Sequence, residues 1–209
     1  MPTRSTSSRG GPAAKNKVIA MLKADHKKVK KAFKDFEKLD AQEDPDSAQA
    51  LVEQTCTELE VHAELEEQVF YPAARGAMKE DDLIDEAEVE HMTAKVLIGQ
   101  LKGMNAEDEK YAATFKVLGE YINHHVQEEE GEIFKKLTQP DVDWNSVLDE
   151  MQQQRMQLME EKGLPAESEA EQETSSRSQP AGGTRSGMRG EHEARPQAAS
   201  AKSSSSEKK

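Results

Sequence analysis

The stretch His62-Ala63-Glu64-Leu65-Glu66-Glu67-Gln68-Val69-Phe70-Tyr71 returns as His125-Val126-Gln127-Glu128-Glu129-Glu130-Gly131-Glu132-Ile133-Phe134. Both read His-x-x-x-Glu-Glu-x-x-apolar-aromatic. On a helix, residues four apart share a face, with Cβ atoms about 5–6 Å apart. The flanking residues turn that face inward. Val52, Thr55, Leu59, His62, Glu66 and Val69/Phe70 step by threes and fours, and so do Leu118, Ile122, His125, Glu129 and Ile133. A chain that buries an imidazole and a carboxylate together, twice, must compensate them. Each polar group left without a partner costs roughly 2–7 kcal/mol.

Two further histidines sit in apolar stripes. Ile19, Leu22, His26, Val29, Phe33 and Phe36 form one, with lysines on the opposite side. Ile84, Ala87, His91, Ala94, Ile98 and Leu101 form the other, ending at Gly103. The pattern predicts four long helices: one from about Lys15, and one capped at Asp46 or Ser47 and ended by Pro72 and Gly76. The third opens after Asp82, and the fourth spans about Glu107 to Leu137. No strand pattern competes with them. The expected fold is all-α, an up-down-up-down four-helix bundle over residues 15–138. Val147, Leu148, Met151, Leu158 and Met159 predict a short fifth amphipathic helix within residues 139–162, either packed on the bundle or free to bind a partner. Residues 1–14 and 163–209 are Gly/Ser-rich, almost without large apolar residues, and are expected to be disordered arms.

Composition narrows the function classes. Apolar residues are 34% of the chain and charged residues 33%, so only part of it can bury a core. The net charge is −13, and the first seventeen residues hold only basic charges, so the acids concentrate in the helical region. Such a surface should repel nucleic acid and anionic membrane. There is no long apolar run for a membrane span and no apolar core of a secretory signal. A single cysteine, Cys56, excludes an internal disulfide and suits a reducing cytoplasm. Cys56 is expected to be a buried small hydrophobe.

The spacing brings the four histidines into register. His26 and His62 lie 36 residues apart and His91 and His125 lie 34 apart. The chain is therefore two similar hairpins, each giving a His and then a His-x-x-x-Glu. Asp25 and Glu90, one residue before His26 and His91, extend the likeness. Antiparallel packing would gather four imidazoles and two carboxylates at one level, a donor set for iron, manganese or zinc. Two ions fit such a site if Glu66 and Glu129 bridge them at roughly 3.5–4 Å.

These residues resemble the hemerythrin-like, HHE cation-binding domain family of bacterial type. The likeness rests on Ala24-Asp25-His26-Lys27-Lys28-Val29, His62 to Glu67 with Phe70-Tyr71-Pro72, Glu90-His91 with Lys95, and His124 to Glu130 with Phe134. It covers about residues 16–137. The resemblance implies two non-haem iron ions in a four-helix bundle, with His26, His62, Glu66, His91, His125 and Glu129 as ligands. Zinc and manganese are the alternatives to iron. His124 and Glu128 share the same spacing, but aligning the two repeats selects His125 and Glu129 and leaves His124 toward the surface.

One departure is Lys95. Oxygen-carrying members have a second His at that position, and a protonated lysine cannot ligate. Its loss leaves about two coordination positions open on a pair of six-coordinate ions, where a fifth His leaves about one. That favours reaction with O2, NO or peroxide over simple O2 carriage. Lys95 is expected either to stabilise a bound anionic oxygen species or to extend along the bundle edge. Glu67 and Glu130 are expected on an exposed face, with hydrogen bonding to imidazole N–H groups as the alternative. Tyr71 and Tyr121 are expected to pack as aromatics, with a place near the metals as the alternative.

The leading expectation is a cytoplasmic di-iron protein that binds O2, NO or peroxide for sensing, storage or detoxification. The second is a peroxidase-, catalase- or ferroxidase-like enzyme at the same site. The third is an acidic helical interaction or stress protein whose metal is structural. None of these needs nucleic acid or membrane, and the sequence points to no protein partner.

Overall fold

A computed structural model describes residues 11–79, 82–138 and 141–164. Among them there is helix and no strand. The elements are α1 (Pro12–Phe36), α2 (Pro45–Leu65), α3 (Tyr71–Ala77), α4 (Asp82–Lys102), α5 (Tyr111–Glu128), α6 (Phe134–Lys136) and α7 (Trp144–Glu161). α1 and α2 form one hairpin and α4 and α5 the other, giving the up-down-up-down bundle. α7 lies against α1 and α2, with Trp144, Met151, Leu158 and Met159 buried. That is the packing role, not the free partner-binding one. Most of the expected arms, His192 included, lies outside the described residues. No described helix is long and apolar enough to cross a membrane.

The helix ends follow local chemistry, with several differences from the sequence pattern; the fourth long helix, for one, starts at Tyr111 and not near Glu107. α1 starts at Pro12, since proline suits the first turn, where its missing N–H is not needed. α2 is capped by Asp44, whose side chain accepts from the Ser47 N–H at 3.2 Å, because Pro45 takes the first helical position and moves the cap back along the chain. Pro72 does not end α2. The helix widens instead into a π-helical turn over Glu66–Phe70 and continues as α3. A second π-helical turn, Glu129–Ile133, joins α5 to α6. In each, an aromatic residue's N–H reaches back five residues: Tyr71 to the Glu66 carbonyl and Phe134 to that of Glu129.

The core is two apolar layers with a polar level between them. Leu22, Leu65, Phe70, Ile84 and Ile133 belong to one layer. Val29, Leu59, Ile98, Leu118 and Ile122 belong to the other. His26, His62, His91 and His125 fall where each helix passes from one layer to the next. Each fully buried Leu, Ile or Phe contributes about 1.5–3 kcal/mol, and these layers hold the polar level in place.

α1 and α5 approach so closely at Gly119 that a Cβ there would lie 2.9 Å from Cδ1 of Phe33. Phe33 is pinned by Phe115, with ring centroids 4.8 Å apart, so the ring has little room to yield. Gly131 has nothing within 4 Å of a Cβ. Gly119→Ala should therefore destabilise the fold by about 1–3 kcal/mol through overpacking. Gly131→Ala should stabilise it by about 0.5–1 kcal/mol through reduced chain entropy. Urea unfolding of the two variants should show shifts of opposite sign.

Candidate metal centre

The six residues singled out in the sequence converge. His26, His62, His91 and His125 are buried, and Glu66 and Glu129 are fully buried. His26 Nε2 lies 3.2 Å from His62 Nε2, and His91 Nε2 lies 3.2 Å from His125 Nε2. Glu66 Oε2 sits between the pairs, 3.2 Å from His62 Nε2 and 3.3 Å from His91 Nε2. Glu129 Oε2 is 3.1 Å from His26 Nε2. One donor atom from each of His26, His62, Glu66 and Glu129 lies within 4.8 Å of all the others. Glu66, His91 and His125 form a second such group, so the two groups share Glu66.

Every imidazole turns its other nitrogen outward to a carboxylate. His26 Nδ1 meets Glu130 at 3.0 Å, and His91 Nδ1 meets Glu67 at 3.0 Å. His62 Nδ1 meets Asp25 at 3.3 Å, and His125 Nδ1 meets Glu90 at 2.8 Å. Glu67 and Glu130 are thus hydrogen-bond partners of the histidines and not simply an exposed face. The arrangement repeats the sequence. In each hairpin the residue before the first His serves the second His, and the residue after the buried Glu serves the first His of the other hairpin. Asp25 and Glu90 were visible as repeat-equivalent acids, but their role needs the antiparallel packing to appear.

This outer ring fixes the chemistry inside. A carboxylate acceptor at Nδ1 holds each neutral imidazole in the Nδ1–H tautomer. All four Nε2 lone pairs then face inward, toward one another and toward two carboxylates. The acids are left short of donors: Glu66 Oε1 and both oxygens of Glu129 lack a hydrogen-bond partner. Lone pairs and buried carboxylate oxygens at this spacing are what one or two cations require, so these residues fit a metal pair.

The charges of the metal-free protein carry the same signature. Burial, and then the neighbouring Glu129, push Glu66 well above the usual carboxylate range. Burial also pushes Glu129 up, but the adjoining His26 and the charge of the nearby imidazoles outweigh it and leave it lowered. Burial lowers His26, yet Glu129 and Glu66 more than offset this and raise it. Burial lowers His62, against the pull of Asp25. Asp25 is itself raised by burial but brought below its usual value by His62 and Arg155.

Other residues fall as follows. Lys95 Nζ lies 2.6 Å from both oxygens of Glu67, so it braces the partner of His91. The His91 hydrogen bond and Lys95 hold Glu67 down at about 2. Tyr71 does more than pack: its hydroxyl is 3.4 Å from Glu66 Oε2 and 3.3 Å from His91 Nε2. Straight α-helical spacing hid this, because the π-helical turn brings the fifth residue after Glu66, not the fourth, over the site. The repeat alignment of Tyr71 with Phe134 was the available signal. Tyr121 is exposed and Cys56 is buried, its thiol pushed up to about 12 by burial. His124 is exposed, near Glu90 and Glu128.

A pocket reaches the four histidines between Val29, Leu59, Ala94, Ile98, Ile122 and Val126, with Lys95 and Glu60 as its charged members. Replacing one central acid tests the electrostatic account without metal. Glu66→Gln removes a buried acid and supplies an amide N–H for the His62 and His91 lone pairs. In chelator-treated protein it should raise unfolding stability by about 1–3 kcal/mol, read by urea denaturation.

Residues 17–137 match the family described as Hemerythrin HHE cation binding domain. Over 114 residues the chain is 29% identical to a protein of Nostoc sp. (strain PCC 7120 / SAG 25.82 / UTEX 2576) named DNA nickase. The match covers 54% of this chain and 31% of that one, so the chain spans about a third of that relative's length. Among solved structures it is similar to a Hemerythrin HHE cation binding domain-containing protein, the Rv2633c homologue from Mycobacterium kansasii. That likeness has a TM-score of 0.55 at 21% identity, over 68% of this chain and 85% of that one, and speaks to the fold. With the matched region spanning the whole bundle and every residue of the buried polar level, the chain belongs to the hemerythrin HHE cation-binding domain family.

Proposed function

We propose that this protein holds two non-haem iron ions and uses them to bind O2, NO or peroxide in the cytoplasm, for sensing, storage or detoxification. The observation that carries this reading is the inward set of four Nε2 lone pairs and two carboxylates with partnerless oxygens, divided into two groups that share Glu66. His26, His62 and Glu129 would hold one ion, His91 and His125 the other, with Glu66 common to both. Imidazole and carboxylate together suit iron better than a site rich in thiolate or purely in oxygen. The bound iron pair would supply redox chemistry and open positions for a small ligand.

The chain's own residues select that ligand. The pocket walls are aliphatic, which favours small, weakly polar molecules over hydrated ions. Lys95 is engaged by Glu67, so its charge steadies His91 before it serves any ligand. The Tyr71 hydroxyl lies against both Glu66 and His91, and burial keeps its proton on: its pKa lies well above the usual phenol value. It can donate a hydrogen bond beside the second ion position. The acidic surface disfavours DNA, and the name of the Nostoc relative belongs to a protein of which this chain matches 31%.

Anaerobic addition of Fe(II) to chelator-treated protein should load about two irons per chain, the number expected of a paired carboxylate-bridged site. His125→Ala should abolish loading of at least one ion, and the neighbouring His124→Ala should leave both. Protein that takes up no iron, or equal loss in the two variants, would count against the reading. Titration with O2, NO and H2O2 then separates binding from turnover. A reversible stoichiometric adduct supports the binder, and sustained H2O2 consumption supports the peroxidase-like enzyme.

The pH dependence has a definite sign. Protons compete with metal for the Nε2 lone pairs, and His26 takes its proton more readily than an ordinary histidine. Iron should therefore be bound at neutral pH and released as pH falls through the His range. Iron content measured after desalting should drop before the helical circular dichroism signal is lost. Full iron content at about pH 4.5 would sink histidine ligation.

A further inference from the structure

Helix α7 lies outside the matched residues 17–137, yet it delivers a charge to the back of His62. The Arg155 guanidinium donates to Asp25 Oδ2, the same oxygen that faces His62 Nδ1 at 3.3 Å. The other three outer carboxylates are braced from within the bundle. Lys23 stands 3.5 Å from Glu130, Lys95 2.6 Å from Glu67, and His124 3.5 Å from Glu90. Those three side chains are 45%, 42% and 61% exposed, whereas Arg155 is 11% exposed. The braces thus differ in kind. Three are solvated and screened, and the fourth is a largely covered guanidinium that does not lose its proton.

The depth of Arg155 is set by its neighbours on α7. Met151, Leu158 and Met159, at four residues before and three and four after, are buried and share its face. A helix that served only to cover a core would keep arginine out of that stripe, because burying an uncompensated ion costs several kcal/mol. Here Asp25 provides the compensation, and Asp25 in turn faces the histidine.

We propose that α7 is a working part of the metal centre, with Arg155 as a positioning residue that locks Asp25 and, through it, the ring angle and Nδ1–H tautomer of His62. This rests on the two-ion reading above. The ion position between His26 and His62 then has one largely covered brace, Arg155 behind His62, from a helix the family match does not include, beside the solvated Lys23 behind His26. The position between His91 and His125 relies on solvated braces. The two positions are inequivalent in this protein, even though the hairpins that build them repeat.

The test uses the full chain loaded with Fe(II) anaerobically, followed by iron release to a chelator and by Mössbauer spectra. Partners behind metal-bound histidines are typically worth about 10–100-fold in metal affinity. Arg155→Met should therefore release about one of the two irons at least tenfold faster and leave the other at the wild-type rate. One of the two Mössbauer environments should change with it. Arg155→Lys, which keeps a cation but not the planar fork, should fall between. Leu158→Ala removes a buried α7 side chain without touching Asp25; it should lower stability and leave both release rates within about twofold of wild type. Wild-type release from Arg155→Met, or equal acceleration by Leu158→Ala, would overturn the proposal. If Arg155→Met does not fold, Asp25→Asn and Arg155→Lys carry the same test, and uniform release of both irons in them overturns it. Wild-type protein that takes no iron sinks the two-ion reading instead. Arg155 is then read in metal-free protein from the His62 imidazole ¹⁵N shifts, which should show the Nδ1–H tautomer in wild type and a mixture in Arg155→Met. Unchanged shifts there would also overturn it.

Discussion

Four imidazole lone pairs and two carboxylates face one another in the middle of this bundle with too few donors to satisfy the acids. Everything nearby is arranged so that they cannot turn away. The outer carboxylates Asp25, Glu67, Glu90 and Glu130 hold the Nδ1 side of each ring. Apolar layers above and below hold the ring planes; Phe134, for example, lies parallel to His26 at 6.2 Å. Glu66 and Glu129 cannot reach water, because both are fully buried. Burying two carboxylates side by side in this way is costly, and the hydrophobic layers around them bear that cost.

The π-helical turns show how the helices supply this geometry. In a plain α-helix, the residue over Glu66 would be Phe70, and Tyr71 would point about 100° away. One extra residue in the turn sets Tyr71 over the site and sends Phe70 into the apolar layer, where its ring meets Phe134 at 5.7 Å. The same turn after Glu129 does this for Phe134. Widened turns of this kind occur mostly at functional sites, since they cost regular hydrogen bonding and are kept where a side chain must be re-aimed. Tyr71 and Phe134 occupy equivalent places, so at this position the two halves differ by one hydroxyl.

Much of this was legible before any coordinates. Helical periodicity gave the four long helices and the inward side of each, and the internal repeat separated His125 from His124 without a structure. What could not be read was anything set by packing between helices. Glu67 and Glu130 looked like solvent-face residues because helical spacing alone places them about 100° from the buried Glu. Only the neighbouring hairpin brings an imidazole N–H to meet them. Asp25 and Glu90 belonged to the repeat, but nothing local said which histidine each would serve. Asp44 as cap, the continuation through Pro72 and the placing of Tyr71 all depend on how a helix absorbs a proline or an extra residue, which periodicity does not encode.

Lys95 shows how the two levels combine. Four residues after His91, this chain has a cation that binds both oxygens of Glu67. It orients Glu67, the partner of His91. The His91–His125 side has fewer buried donors, Glu66, His91 and His125 against His26, His62, Glu66 and Glu129 on the other. It also has beside it the Tyr71 hydroxyl and an aliphatic pocket shared with the histidines. On the other side, Arg155 fixes Asp25 and Phe134 offers no hydroxyl. On the two-ion reading, one half of the centre holds its ion and the other leaves room. Two equivalent sites would bind two ions alike. A held ion beside a more open one suits a centre where a small molecule meets one ion and the second supplies charge.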